Sequence, residues 1–182
     1  MRSSQATDMQ EQVAAGIIIY QRTKDGPRFL LLYHGGRYWN FPKGKIEKEE
    51  RLLEGALREV YEETGTSRNQ IKIDQIFRTQ DHYVFRERSK KILKIVYYFL
   101  GEVSGLDHIK ISREHRGYGW FLYRDCVRML IYQNLKNNLK RANDHISGKS
   151  VSGTPARPKG PGYNIQRFSP HHRFSPRRPR GR

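Results

Sequence analysis

The chain is nearly free of cysteine, has no long apolar run, and carries no acidic residue at all in its final stretch. Cys126 is the single cysteine of 182 residues, so no intramolecular disulfide can form, and neither a disulfide framework nor a cysteine-based zinc site is available. That usage points to a reducing, cytoplasmic setting. The longest apolar stretches, VAAGIIIY and RFLLLY, fall well short of the roughly 20 residues that span a bilayer. The opening MRSSQATDMQEQ has no apolar core of the kind a secretory leader carries, and no membrane partner is expected. Acids are absent from Gly148 to Arg182, where nine Lys and Arg and six of the eight prolines gather, leaving +8 of the net charge of +17 to the rest of the chain. The echoed RFSPHH and RFSPRR in this stretch are low-complexity sequence that buries too little apolar surface to offset the entropy of ordering. Residues 147–182 are therefore expected to form a disordered basic tail. Residues 1–12 are expected to be an extension, and 13–146 the one domain a chain of this length supports.

Within that domain, VAAGIIIYQR (13–22) and RFLLLYH (28–34) are β-rich runs joined by TKDGP, which has the composition of a hairpin turn. GGRYWNFPKG (35–44) begins with a turn and contains Pro42, whose missing N–H confines it to an edge or a strand end. Leu53, Leu57, Val60 and Thr64 then recur at helical spacing with Ala56 beside them, and Gly65 supplies a C-terminal stop. IKIDQIFR (71–78), ILKIVYYFLGEV (92–103) and YGWFLY (118–123) have strand composition, with RERSKK as a hairpin loop. Leu135, Leu139, Ala142 and Ile146 space out a closing amphipathic helix. Strands before and after a central helix, with a second helix at the end, predict an α/β fold: a mixed sheet covered by helices on both faces.

Seven of the eighteen acidic residues fall in one segment of this basic chain, GKIEKEERLLEGALREVYEETG, residues 44–65. On a helical wheel with Leu53 at the origin, Glu63 falls near 280°, Glu59 near 240° and Glu62 near 180°, an arc of about 100° beside the apolar stripe. Carboxylates about 6 Å apart repel by about 3 kcal/mol at an effective dielectric near 20. A divalent cation removes that cost, and an oxygen-only donor set suits Mg²⁺ or Mn²⁺, which retain waters and bridge to phosphate oxygens. An acidic helical face taken alone is ordinary solvated surface. The longer pattern says more: Gly44, five residues, Glu50, seven residues, Arg58-Glu59-Val60, one, Glu62-Glu63, one, Gly65.

This segment resembles the signature of the Nudix hydrolases at every charged and glycine position. It departs only at Thr66, where the family has an aliphatic residue and where looser local packing is expected. The resemblance implies the Nudix fold and hydrolysis of a pyrophosphate linkage in a nucleoside polyphosphate. It implies Glu59, Glu62 and Glu63 as metal ligands, with one of the carboxylates accepting a proton from the attacking water. Arg58 would hold the glutamates by a bidentate pair. Gly44 would permit a tight turn and offer its carbonyl to the metal; Gly44, Glu50 and Gly65 complete the motif.

YWNFPKGKIE is similar to a segment of the asymmetric diadenosine tetraphosphate hydrolases, which implies Lys43 at a phosphate. KIVYYFLGEV resembles the strand of that subfamily whose Lys and Tyr, here Lys94 and Tyr98, face polyphosphate and base. ISREHRGYGWF resembles its loop with a glutamate, here Glu114, as metal ligand or assisting base, with His115 or Tyr118 lining the nucleotide pocket. The substrate implied is diadenosine tetraphosphate, cleaved to ATP and AMP. FPKGKIEKEE together with REVYEETG also looks like the catalytic segment of mRNA-decapping enzymes, and a bacterial RNA 5′-pyrophosphohydrolase is a further alternative. Either would use RNA contact by the basic tail, where Arg and Lys are spaced by Tyr163, Phe168 and Phe174. A non-catalytic binding scaffold is the alternative of another class; it would be expected to have lost box carboxylates, and this chain keeps Glu50, Glu59, Glu62 and Glu63. Nothing in these patterns distinguishes a monomer from a dimer.

Overall fold

A computed structural model describes residues 9–36, 38–88, 90–105 and 109–149. The expected disordered tail lies, from residue 150 onward, outside the described residues. Strand β1 (Met9–Thr23) runs through the middle of the sheet, and its apolar centre is buried on both sides. It turns through Lys24 and Asp25 into β2 (Gly26–Gly35), with Thr23 paired to Gly26, as the TKDGP composition predicts. Its other edge pairs in parallel with β6 (Lys90–Val103), which itself pairs antiparallel with β5 (Ile71–Glu87). The sheet is mixed, in the order β3-β2-β1-β6-β5, with β3 (Tyr38–Asn40) on β2, β4 (Lys43–Lys45) on β1 and β7 (Gly117–Leu122) on β2.

The register explains where the site can be. β1 and β2 stay paired only from Tyr20↔Phe29 to Thr23↔Gly26 and then part. Tyr33 of β2 pairs with both Trp39 and Gly117, so β3 occupies the edge that β1 has left. Ala15 of β1 pairs with both Gly44 and Tyr97, so β4 takes the corresponding freed edge of β1. The segment from Tyr38 to Lys45 thus fills a split between two strands, and the Pro42 carbonyl at its middle accepts the Ile17 N–H at 3.1 Å.

Alternation along β1 separates two cores. Ala15, Ile17 and Ile19, with Leu30 and Leu32, meet Ala56, Leu57 and Val60 of helix α1 (Leu52–Thr64). Ala14 and Ile18, with Phe29, Leu31, Val96 and Leu100, meet Cys126 of α2 (Tyr123–Met129) and Leu135, Leu139 and Ala142 of α3 (Gln133–Ile146). Each fully buried leucine adds about 2 kcal/mol, and the expected helix-sheet-helix layering follows.

Three elements differ from the sequence reading. β1 begins at Met9, inside the stretch expected as an extension, because Met9 to Gln12 pair with Lys91 to Lys94. β5 does not stop at Arg78: it continues through DHYVF to Glu87, and the loop expected over RERSKK contracts to a turn entered at Arg88 with φ 44°. YGWFLY gives way after Leu122 to α2, which takes Tyr123 as its first residue.

Gly16 sits where the split is tightest, since a Cβ there would fall 2.3 Å from the Pro42 carbonyl oxygen and 2.5 Å from Lys43 Cβ. Gly16→Ala is therefore expected to destabilise the protein by about 2 kcal/mol through overpacking against backbone, read as a lowered midpoint in urea denaturation.

Candidate active site

Helix α1 carries the acidic face. Its buried side comprises Ala56, Leu57, Val60 and Thr64, and Glu63 lies at the margin of that stripe, as the wheel places it. The helix stops at Gly65, whose φ of 69° suits a residue without Cβ and whose N–H bonds the Tyr61 carbonyl. Thr66, expected to loosen the packing, is instead buried, with its hydroxyl 2.9 Å from Thr64 Oγ1 and its N–H donating to the same oxygen at 3.2 Å.

Arg58 organises the carboxylates. Its Nε and Nη2 donate to the two oxygens of Glu50 at 2.9 Å each, Nη1 reaches Glu59 at 3.0 Å and Glu62 at 3.2 Å, and Nη2 also donates to the Lys45 carbonyl at 2.9 Å. The fork holds Glu50 below the usual glutamate range. Two close approaches make this possible. A Cβ on Gly55 would meet Ile46 Cδ1 at 2.4 Å and Glu50 Oε2 at 2.7 Å, which accounts for a helix-weakening glycine in mid-helix. A Cβ on Gly44 would fall 1.9 Å from Glu59 Cδ, so the Glu59 carboxylate lies in a notch of the β4 backbone.

Glu63 is the most enclosed of the set. Its Oε2 accepts the Lys43 backbone N–H at 2.8 Å, and its Oε1 stands 3.6 Å from Nε2 of the fully buried His115 side chain. Burial pushes its carboxyl up to about 7, against the pull of the Lys43 N–H and ammonium, with Glu59 and Glu114 adding repulsion. Burial raises Glu59 too, opposed by Arg58. Glu62 is more than half exposed, and among the described residues its ion-pair partner is Arg58.

The loop from Ile109 to Arg116 is laced to the helix end: Lys110 N–H donates to the Thr64 carbonyl at 3.0 Å and Ser112 N–H to that of Glu63 at 3.1 Å. This brings Glu114, exposed to solvent, within electrostatic reach of Glu63. Ser112 Oγ lies 2.9 Å from His115 Nδ1, fixing the ring beside Glu63. His34 packs on His115 with centroids 4.4 Å apart, and burial, then His115 and Lys43, brings its pKa down to about 4. Burial lowers His115 as well, opposed by Glu114 and aided by Lys43, so both rings favour the neutral form at neutral pH.

Lys43 and Lys45 pair with Gly16 and Ala14, whereas Gly44 between them pairs with Ala15. The alternation turns both lysines to the α3 face, away from Gly44. Lys94 on β6 shares that face with Val96 and Tyr98, and burial and the charges of Lys43 and Lys45 lower its pKa. Beyond it stand Tyr38, Tyr83 and Tyr132. Tyr38 and Tyr132 meet edge to face at 5.7 Å, and Tyr83 pairs directly across from Lys94. Beneath them the buried Asp81 carboxylate is held by Asn134 of α3.

Of the residues predicted from sequence, Arg58, Glu59, Glu62, Glu63, Glu114, His115, Gly44, Lys43 and Lys94 therefore surround one region. Tyr98 lies under it, 1% exposed, with its ring edge-on to Phe41, so it forms floor and not wall. Tyr118 packs against the α1-side core, across the sheet from the tyrosine group. Sequence reasoning missed His34, Tyr38, Lys45, Asp81, Tyr83 and Tyr132. The alternation of Lys43 and Lys45 about Gly44 was the one available signal.

Residues 10–142 match the family described as NUDIX domain. The chain belongs to the Nudix family. It is 32% identical over 142 residues to the asymmetrical bis(5′-nucleosyl)-tetraphosphatase of Mus musculus, spanning 73% of this chain and 94% of that protein. The Caenorhabditis elegans protein of the same name is 26% identical over 137 residues, covering 74% and 96%. A crystal structure of a C. elegans Ap4A hydrolase binary complex superposes with a TM-score of 0.68 at 26% identity, covering 75% of this chain and 98% of that one. This Nudix protein is a hydrolase that acts on acid anhydrides, a pyrophosphohydrolase.

The raised pKa of Glu63 carries a stability cost. Its folded value of about 7 exceeds the ordinary 4.5, so the folded state holds an extra proton between those values and metal-free stability falls as pH rises through that window. Glu63→Gln is expected to stabilise the chelator-treated hydrolase at pH 8 by about 2 kcal/mol, with the gain vanishing below about pH 4.5. Urea denaturation at both pH values checks this.

Proposed function

We propose that this Nudix hydrolase cleaves a dinucleoside polyphosphate asymmetrically, taking diadenosine tetraphosphate to ATP and AMP. The observation that carries the reading is the sequence of chemistries along one strip: carboxylates on α1, three lysines on the facing strands, then three tyrosines around Asp81. These are complementary in turn to a hydrolytic centre, a polyphosphate and a nucleoside. The names of the similar proteins agree with it.

Magnesium or manganese fits the donor set. Glu59, Glu62 and Glu63, with the Gly44 carbonyl and Glu114, offer only hard oxygens, and burial without a full complement of cations raises both Glu59 and Glu63. Among the described residues no three such groups stand close enough together to enclose an ion, because Glu59 and Glu62 lean on Arg58. Holding an ion requires those two side chains to turn from the guanidinium. When bound, the ion neutralises phosphate charge and acidifies water.

The chain's own groups do the rest. Lys43, Lys45 and Lys94 hold the phosphates by charge, the tyrosines seat a base, and the carboxylates as a set take the proton of the attacking water. The water oxygen joins one phosphorus, the bridging P–O bond on its far side breaks in line, and the bridging oxygen leaves with the other product. The Lys43 N–H keeps Glu63 in place, and His115, set by Ser112, walls it on one side.

With Mg²⁺ and diadenosine tetraphosphate the purified protein is expected to release ATP and AMP in equal amounts; ADP alone would contradict the reading. Glu59→Gln should lower turnover by about a hundredfold or more with the fold intact, followed by chromatography of the products and circular dichroism. Removing residues 148–182 should leave this turnover nearly unchanged; its loss on truncation would place the tail in the site.

A further inference from the structure

We propose that Asp81 selects the nucleobase: its carboxylate accepts the donors on the Watson–Crick edge of a guanine seated among Tyr38, Tyr83 and Tyr132, so that the site takes guanine ahead of adenine. The proposal rests on the dinucleotide reading and refines the base it favours. Register places the residue. Lys45 pairs with Ala14, Ala14 with Val96 and Val96 with Asp81, so one row crosses β4, β1, β6 and β5. Ala14 and Val96 belong to the α3-side core, which puts both charged ends of the row on that face. Three strand spacings separate the cation from the carboxylate, about 14 Å between Cα atoms. A nucleotide laid across the strands follows such a row from phosphate to base edge. Tyr83, two residues on from Asp81, stands in the next row opposite Lys94.

The neighbouring link between β5 and α3 shows what the charge at Asp81 is not for. Thr79 Oγ1 donates to Asn138 Oδ1 at 2.7 Å, a buried bond between two neutral side chains. One turn earlier in α3, Asn134 makes the corresponding link to Asp81, which is 5% exposed, with Nδ2 standing 2.6 Å from each carboxylate oxygen. Joining strand to helix thus needs no charge, and burying one is costly. Burial accordingly raises the Asp81 carboxyl, opposed by Asn134. One amide nitrogen against both oxygens marks both as acceptors, as in the ionised form. An ionised carboxylate has about four acceptor positions, so Asn134 leaves others open. Burial and then Asp81 raise Tyr83, and Asp81 adds to the burial that raises Tyr38, so the carboxylate lies close to both phenols. Among the described residues neither hydroxyl bonds to it. Aromatic rings grip any base by its faces, which leaves the choice between bases to the group at the edge. Guanine presents N1–H and its N2 amine side by side, one for each oxygen. Adenine presents one amine beside a ring nitrogen whose lone pair faces the second oxygen.

The test uses the full chain with Mg²⁺. Binding of GMP and AMP, which hold no anhydride to cleave, is measured by titration calorimetry, and KM for diguanosine and diadenosine tetraphosphate by chromatography of the products. The unaltered protein is expected to favour guanine about tenfold in both. Asp81→Asn offers one acceptor and one donor, the complement of adenine, and is expected to reverse the preference, with the change falling in KM. Asn134→Ala keeps the carboxylate and should weaken both bases alike with the preference for guanine intact. IMP, which keeps N1–H and lacks the N2 amine, should bind the unaltered protein between GMP and AMP, a reading that needs no variant to fold. Equal affinity of the unaltered protein for GMP and AMP would overturn the proposal, as would IMP binding as well as GMP. A ratio between the bases that Asp81→Asn leaves unmoved would overturn it in favour of a purely structural tie to α3. Should neither dinucleotide be cleaved while the binding preference and its reversal stand, the dinucleotide reading falls and base selection by Asp81 remains.

Discussion

One guanidinium holds the acidic face together. Arg58 touches Glu50, Glu59, Glu62 and the Lys45 carbonyl at once, which joins helix α1 to the loop before it and to strand β4. The constraint it answers is electrostatic: several carboxylates must sit close together and partly out of water, where repulsion and desolvation both oppose them. One cation offsets part of that cost. The remainder shows in the raised carboxyl groups of Glu59 and Glu63, which are left short of positive charge. The glycines of the segment serve the same end, since Gly55 admits Glu50 and Gly44 admits Glu59 to positions a methyl group would deny them.

The split sheet converts this local device into a site. Because β1 and β2 part beyond Phe29, the chain from Tyr38 to Lys45 lies between them with its backbone N–H at Lys43 aimed at Glu63 and its lysine side chains on the opposite face. The carboxylates of α1 and the cations of β4 and β6 thus meet at one edge of the sheet, and among the described residues no ion pair joins them directly. On the proposed reading, substrate phosphates would complement the lysines, and the tyrosines of β3, β5 and the stretch before α3 would receive a nucleoside.

How much of this could be read beforehand depended on whether the signal was local. The spacing from Gly44 to Gly65 made the helix, its acidic face and the pairing of Arg58 with glutamates legible, because each lies within a few turns of the others. Strands with continuous apolar runs, such as β1, were legible for the same reason. Groups brought together by pairing over long separations were not: Tyr38, Asp81, Tyr83 and Tyr132 come from four elements, and His34 reaches His115 only because Arg116 bonds back to Tyr33. Arg86 and Glu87 at the end of β5 read as loop, since the run of charged residues they begin masks strand alternation. Resemblance puts Tyr98 at the substrate, whereas it stands four residues further along the same face of β6 as Lys94, where Phe41 and the core cover it.

The central claim is that the Glu63 carboxyl is held in an unfavourable state that a divalent cation relieves. Carbon-13 NMR titration of the Glu63 side-chain carboxyl, first in chelator and then with Mg²⁺, measures this directly. The account predicts a midpoint of about 7 without metal and a marked fall once Mg²⁺ is added. A midpoint near the ordinary 4.5 that does not respond to Mg²⁺ would contradict it.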